Sequence, residues 1–116
     1  MARVLMLAVL LSCWAPVAQA IDSHGKYGIY GSGNVRCNQW LRSRQLKDSQ
    51  TYRDAEWVAG YVTAYNRWAS KANSIVPSRD PEAMLTMIDQ ICTANPLETV
   101  SGAAESMILD LLRRQQ

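Results

Sequence analysis

The chain has 116 residues, with 12 lysines and arginines against 10 acids, one histidine, three cysteines and a formal net charge of +2. So close a balance gives no electrostatic case for a nucleic acid or an anionic membrane surface as partner. The length allows one domain with a small core.

Residues 1–20 have the composition of an export signal. Arg3 supplies the positive start, Val4 to Trp14 form an apolar run, and Ala18-Gln19-Ala20 offers the small-x-small pattern that signal peptidase accepts. The run is too short, and too soon broken by Pro16, to anchor the mature protein across a bilayer. A competing reading makes Cys13 the acylated residue of a lipoprotein signal, Leu10-Leu11-Ser12-Cys13, but Leu11 suits that slot poorly. Cleavage after Ala20 leaves 96 residues, a net charge of +1, and Cys37 and Cys92 as the only cysteines. Two cysteines in an oxidising compartment such as the periplasm point to a disulfide.

Residues 21–34 mix glycine with tyrosine, as in Tyr27-Gly28-Ile29-Tyr30-Gly31-Ser32-Gly33-Asn34, and show no period. They read as a flexible arm. A phosphate loop is excluded, since no Lys-Ser/Thr pair follows the glycines. Asn34 is placed to cap a first helix running to about Leu46, with Cys37, Trp40 and Leu41 on one face.

The strongest periodicity lies between about Thr51 and Lys71. Trp57, Tyr61, Tyr65 and Trp68 follow i, i+4, i+8, i+11 with Val58 and Val62 beside them, while Arg53, Glu56, Thr63 and Arg67 fall opposite. Gly60 inside this helix suggests that another backbone passes close by. A loop from Asn73 to Ser78 contains Pro77, and a third helix starts at Asp80-Pro81-Glu82 as N-cap, first residue and dipole-matched acid. Met84, Ile88, Ile91 and Cys92 make its apolar stripe. Asn95-Pro96-Leu97-Glu98 resembles a fresh capping box, followed by a fourth helix burying Leu97, Val100, Ala104, Met107, Ile108 and Leu111. The expected architecture is therefore all-α, a small four-helix orthogonal bundle over residues 35–116, with Cys37 of helix 1 bridged to Cys92 at the end of helix 3.

Chemistry is sparse. His24 stands alone in the arm, so neither a metal cluster nor a Cys-His or Ser-His-Asp set is visible, and no cofactor or enzyme activity is expected. Asp54, Glu56, Asp80, Glu82, Asp89, Glu98, Glu105 and Asp110 fall at capping or polar-face positions of a bundle. Arg36, Arg42, Arg44 and Lys47 read as a solvated basic face, and Arg113-Arg114 suit the C-terminal end of the last helix. Trp57, Tyr61, Tyr65 and Trp68 read first as core; the alternative is a dimer or partner surface, because Tyr and Trp are enriched at interfaces.

Three stretches carry a family resemblance: Cys37-Asn38-Gln39-Trp40-Leu41, then Trp57-Val58-Ala59-Gly60-Tyr61, then Cys92 followed by Asn95-Pro96 and an amphipathic helix. Together they resemble the small periplasmic HdeA/HdeB acid-stress chaperones. The outline is also similar to the Tai-type immunity proteins of type VI secretion. The first resemblance implies a dimer that loosens in acid and holds unfolding client proteins. The second implies a preformed surface, at the Tyr61-Tyr65-Asn66 edge or the basic first helix, that blocks a partner enzyme. The Gly/Tyr arm and the Ala72 to Arg79 loop depart from the acid-chaperone pattern.

Overall fold

The computed structural model describes residues 27–116; the export signal, Cys13, His24 and the first six residues of the expected arm lie outside the described residues. The architecture is all-α, as the periodicity implies. A 3-10 helix, Gly31–Asn34, precedes α1 (Cys37–Leu46), α2 (Ser49–Trp68), α3 (Pro81–Ala94) and α4 (Val100–Arg114), and among the described residues there is no strand.

Apolar periodicity sets the packing. Trp40 of α1, Val58 and Val62 of α2, Met84, Leu85 and Ile88 of α3, and Val100, Ala103, Ala104, Met107, Ile108 and Leu111 of α4 converge in one core. The Cys37–Cys92 disulfide lies inside it, both cysteines fully buried and their Cα atoms 4.8 Å apart, and joins α1 to α3 near the end of the latter.

The helix starts differ in instructive ways. Asp80 accepts from the Glu82 backbone N–H at 3.0 Å, with Pro81 as the first helical residue, so α3 begins as expected. Helix α2 begins earlier than its apolar stripe. Lys47 turns the chain through a left-handed conformation (φ 53°), and Asp48 then accepts from the backbone N–H groups of Gln50 and Thr51.

Two expected caps are corrected. Asn34 does not cap α1; its side-chain amide donates to the Ile29 carbonyl, and Arg36 occupies the cap position. Arg36 has no acceptor to offer, and the loop before α4 supplies the acceptors instead. Glu98 and Pro96 carbonyls accept from the Cys37 and Asn38 N–H groups at 2.8 and 2.9 Å, satisfying two of the donors that every helix start leaves open. The Asn95-Pro96-Leu97-Glu98 segment is therefore a turn committed to α1 and does not begin α4. Thr99 caps α4 by accepting from the Gly102 N–H, and Leu97, expected in the core, is exposed at the turn's tip. Arg36 and Thr99 pair as an isolated antiparallel bridge, with Val100 N–H donating to the Val35 carbonyl.

The described part of the expected arm is packed against the bundle. Trp57 Nε1 donates to the Tyr30 carbonyl at 2.6 Å, and Gly33 is buried against the Trp57 and Ile29 side chains so tightly that a Cβ would collide with the indole. Close approach thus occurs at Gly33 and not at Gly60, which is exposed with open space around it. Opposite outcomes are expected. Gly33→Ala should destabilise by about 1–3 kcal/mol through overpacking, while Gly60→Ala should stabilise by up to about 1 kcal/mol by removing a helix-interior glycine. Denaturant midpoints of the two variants check both signs.

The loop between α2 and α3 also contributes to the core. Ile75 and Val76 are buried, and the Asn66 side chain accepts from the Ile75 N–H at 2.8 Å. A short apolar pair in a polar loop has no period to betray it, which is why only its loop character is legible beforehand.

Candidate functional site

Of the four aromatic residues singled out on α2, the structure brings three to the bundle and leaves one outside. Trp57 and Tyr61 stack with ring centroids 5.3 Å apart; both are half-buried, as is Tyr65. Trp68 is 80% exposed, so its expected place in the core is corrected. It is the last residue of α2, where the helix runs beyond the side chains that cover its earlier turns, and the Arg67 guanidinium lies over its ring at 4.6 Å.

Burial pushes the Tyr61 hydroxyl up to about 12 from its ordinary 10, with a smaller contribution from the neighbouring Tyr27. A raised folded value means that the unfolded chain loses its proton first as pH rises. Stability from this group is therefore complete below about pH 10 and declines between pH 10 and 12. Denaturation midpoints at pH 9 and 11.5 should differ, and the part of that difference due to Tyr61 should vanish in Tyr61→Phe.

The turn of α2 that precedes Val58 holds a surprise. Asp54, expected on the polar face, is fully buried on the same stripe as Val58 and Val62. Gln50 Nε2 donates to its Oδ1 at 2.6 Å, whereas Oδ2 and the Thr51 hydroxyl are buried without a hydrogen-bond partner.

The basic face expected on α1 is corrected at Arg44, while Arg36, Arg42 and Lys47 are exposed. Arg44 is not solvated; its side chain is only 19% exposed and holds the strongest polar cluster of the described residues. Its guanidinium donates to both Asp89 oxygens (3.1, 3.1 and 2.8 Å) and to Glu82 at 2.5 Å. Trp40 Nε1 donates to the same Asp89 Oδ1 at 2.6 Å. The hydrogen bonds that Arg44 donates to Asp89, then to Glu82, raise its pKa further above its ordinary range, so the group stays charged at every accessible pH. Two residues of α1 are thereby locked onto two carboxylates of α3. Arg36 is spent on the Leu97 carbonyl, at 2.6 Å. At the far end of α4, Arg113 and Arg114 both pair with Asp110.

A shallow groove of about 240 Å³ runs between α2 and the start of α3, walled by Ala59, Val62, Val76 and Met84 with Arg79 and Asp80 at its rim. Among the described residues no three His, Cys, Asp or Glu side chains come together as metal ligands, and no described helix is long and apolar enough to cross a membrane. The arrangement offers a stapled helical scaffold, an ionic seam between α1 and α3, and an aromatic edge on α2. No family model, curated protein or solved structure matches the chain.

Proposed function

We propose that the chain is a non-enzymatic, protein-binding protein of the periplasm that holds unfolding clients in acid, in the manner of the HdeA-like proteins it resembles. The observation that carries this reading is the seam in which Asp89 and Glu82 of α3 bind Arg44 and Trp40 of α1. In acid strong enough to neutralise the chain's carboxylates, the Arg44 charge loses its partners. The mature chain then carries about +12, from its remaining Lys and Arg residues and His24, and self-repulsion favours expansion. The Cys37–Cys92 bridge keeps α1 and α3 tethered while the charged bundle expands. The surface so exposed would be the apolar core, including Val58, Val62, Met107 and Ile108.

Exposed Trp68 and Tyr30 support a second reading, the Tai-type inhibitor, because they offer a contact surface without any opening. Aggregation of an acid-unfolded client separates the two. Suppression at about pH 2–3 and none at pH 7 is the expected result. A compact fold retained in acid with no client protection would remove the chaperone and leave the inhibitor.

A further inference from the structure

The directional ties between helices leave α2 out. Helix α1 is joined to α3 by the Cys37–Cys92 bridge and by the bonds of Trp40 and Arg44 to Asp89, and to the segment entering α4 through the Cys37, Asn38 and Val100 N–H groups. Among the described residues no hydrogen bond or ion pair connects α2 to α1, α3 or α4. The polar bonds that leave it run to the arm, where Trp57 donates to the Tyr30 carbonyl, and to its own following loop, where Asn66 accepts from the Ile75 N–H. Of its 20 residues Asp54, Val58 and Val62 are buried, against seven of the 15 in α4. Asp54 Oδ2 and the Thr51 hydroxyl, one turn apart, are buried without a partner, so closing this face over the core strands two polar atoms. Packing gaps follow the borders of the same helix. The 240 Å³ groove lies between Ala59 and Val62 of α2 and Met84 of α3. Another, of about 410 Å³, lies between Gln50 of α2 and Gln39 and Ser43 of α1, and a third, of about 460 Å³, between Tyr65 of α2 and Leu112 of α4.

We propose that α2, with the loop as far as Val76, is a lid on a platform made of α1, α3 and α4, and that it opens as one unit while the platform stays folded. The loop travels with the helix because Asn66 holds the Ile75 N–H. Hinges are in place at both ends: Lys47 sits in the left-handed conformation at φ 53°, and residues 77–80 are all exposed. Partial openings are drawn from the segments of a fold with the fewest buried contacts, and here the better-tied helices share a disulfide that the lid lacks. Opening uncovers the platform residues that share one core cluster with Val58 and Val62, among them Trp40, Met84 and Ile108. Use of that surface by a client rests on the proposed function; the opening itself does not.

Native-state hydrogen exchange of the full oxidised chain at pH 7, followed residue by residue by NMR, reads the opening directly. The amides of α2 from Asp54 to Tyr65 should exchange as a group, with protection about tenfold or more below that of the buried amides of α3 and α4. Their exchange should also respond less steeply to low denaturant, because lifting a lid exposes less surface than unfolding the whole chain. Thr51→Val keeps the side-chain shape, removes one stranded hydroxyl and should slow exchange in α2 about fivefold or more. One common opening for all four helices, opening of α1 or α3 ahead of α2, or unchanged α2 exchange in Thr51→Val would each overturn the proposal. A lid that opens in a chain that fails to protect clients in acid would sink the chaperone reading and leave the lid standing. Client protection by a chain whose four helices exchange together would do the reverse.

Discussion

Loss of the Cys37–Cys92 bridge, by reduction or in a Cys37→Ser/Cys92→Ser variant, is expected to cost about 4 kcal/mol. The bridge spans a sequence separation of 55, and the chain-entropy argument assigns a loop of that size about this much through restriction of the unfolded state. Serine adds to the loss, since both positions are fully buried and its hydroxyl would meet no ready partner. Small domains hold only about 5–15 kcal/mol in total, so the variant should melt far below the parent. Guanidinium unfolding of the oxidised and reduced chains measures the difference. A change under about 1 kcal/mol would mean that the core alone holds α1 to α3.

The second large effect is expected at Asp89. Asp89→Ala removes the acceptor for Trp40 Nε1 and the main counter-charge of Arg44, leaving a buried indole N–H without its acceptor and a mostly buried guanidinium with only the exposed Glu82. A cost of about 2–4 kcal/mol follows, because deleting one member of a shielded pair leaves the other desolvated and uncompensated. The diagnostic comparison is the double variant Arg44→Met/Asp89→Leu, which strands no charge and should be less destabilised than Asp89→Ala alone. If instead the two substitutions add, Arg44 and Asp89 act independently and the seam is an incidental surface contact.

These two effects share one geometry, and part of it could be read beforehand. Apolar period placed Cys37 and Cys92 on inward faces, and the disulfide then fixes how α1 and α3 run past each other. Stepping three residues forward from Cys37 and three back from Cys92 reaches Trp40 and Asp89; seven forward and ten back reaches Arg44 and Glu82. The pairs that the structure brings together are those this register puts in reach. The signal was present, but a charged residue on a short helix reads equally well as solvated until its partner helix is in place.

Asp54 escaped for a related reason. Its spacing to Val58, Tyr61 and Tyr65 matches the buried stripe, but its residue type argues against burial. Trp68 failed in the opposite sense: its residue type and angular position both suit the core, yet α2 outruns its cover by that point. The Asn95 to Glu98 segment has the sequence of a helix start, and tertiary demand overrode it, because the open N–H groups of Cys37 and Asn38 take its carbonyls. Local capping chemistry is thus reliable at Asp80, where no other element competes, and misleading where a second helix needs the same backbone.

Client protection measured against pH, in parallel with near-ultraviolet circular dichroism of the intact chain, tests the acid-gated reading most directly. The account predicts that protection appears over the same pH interval in which the packed-aromatic signal is lost. Asp89→Asn, which removes the charge while keeping an acceptor near Trp40, should move both curves to higher pH together. Protection that is absent throughout, or equally strong at pH 7 while the aromatic signal is intact, would contradict it.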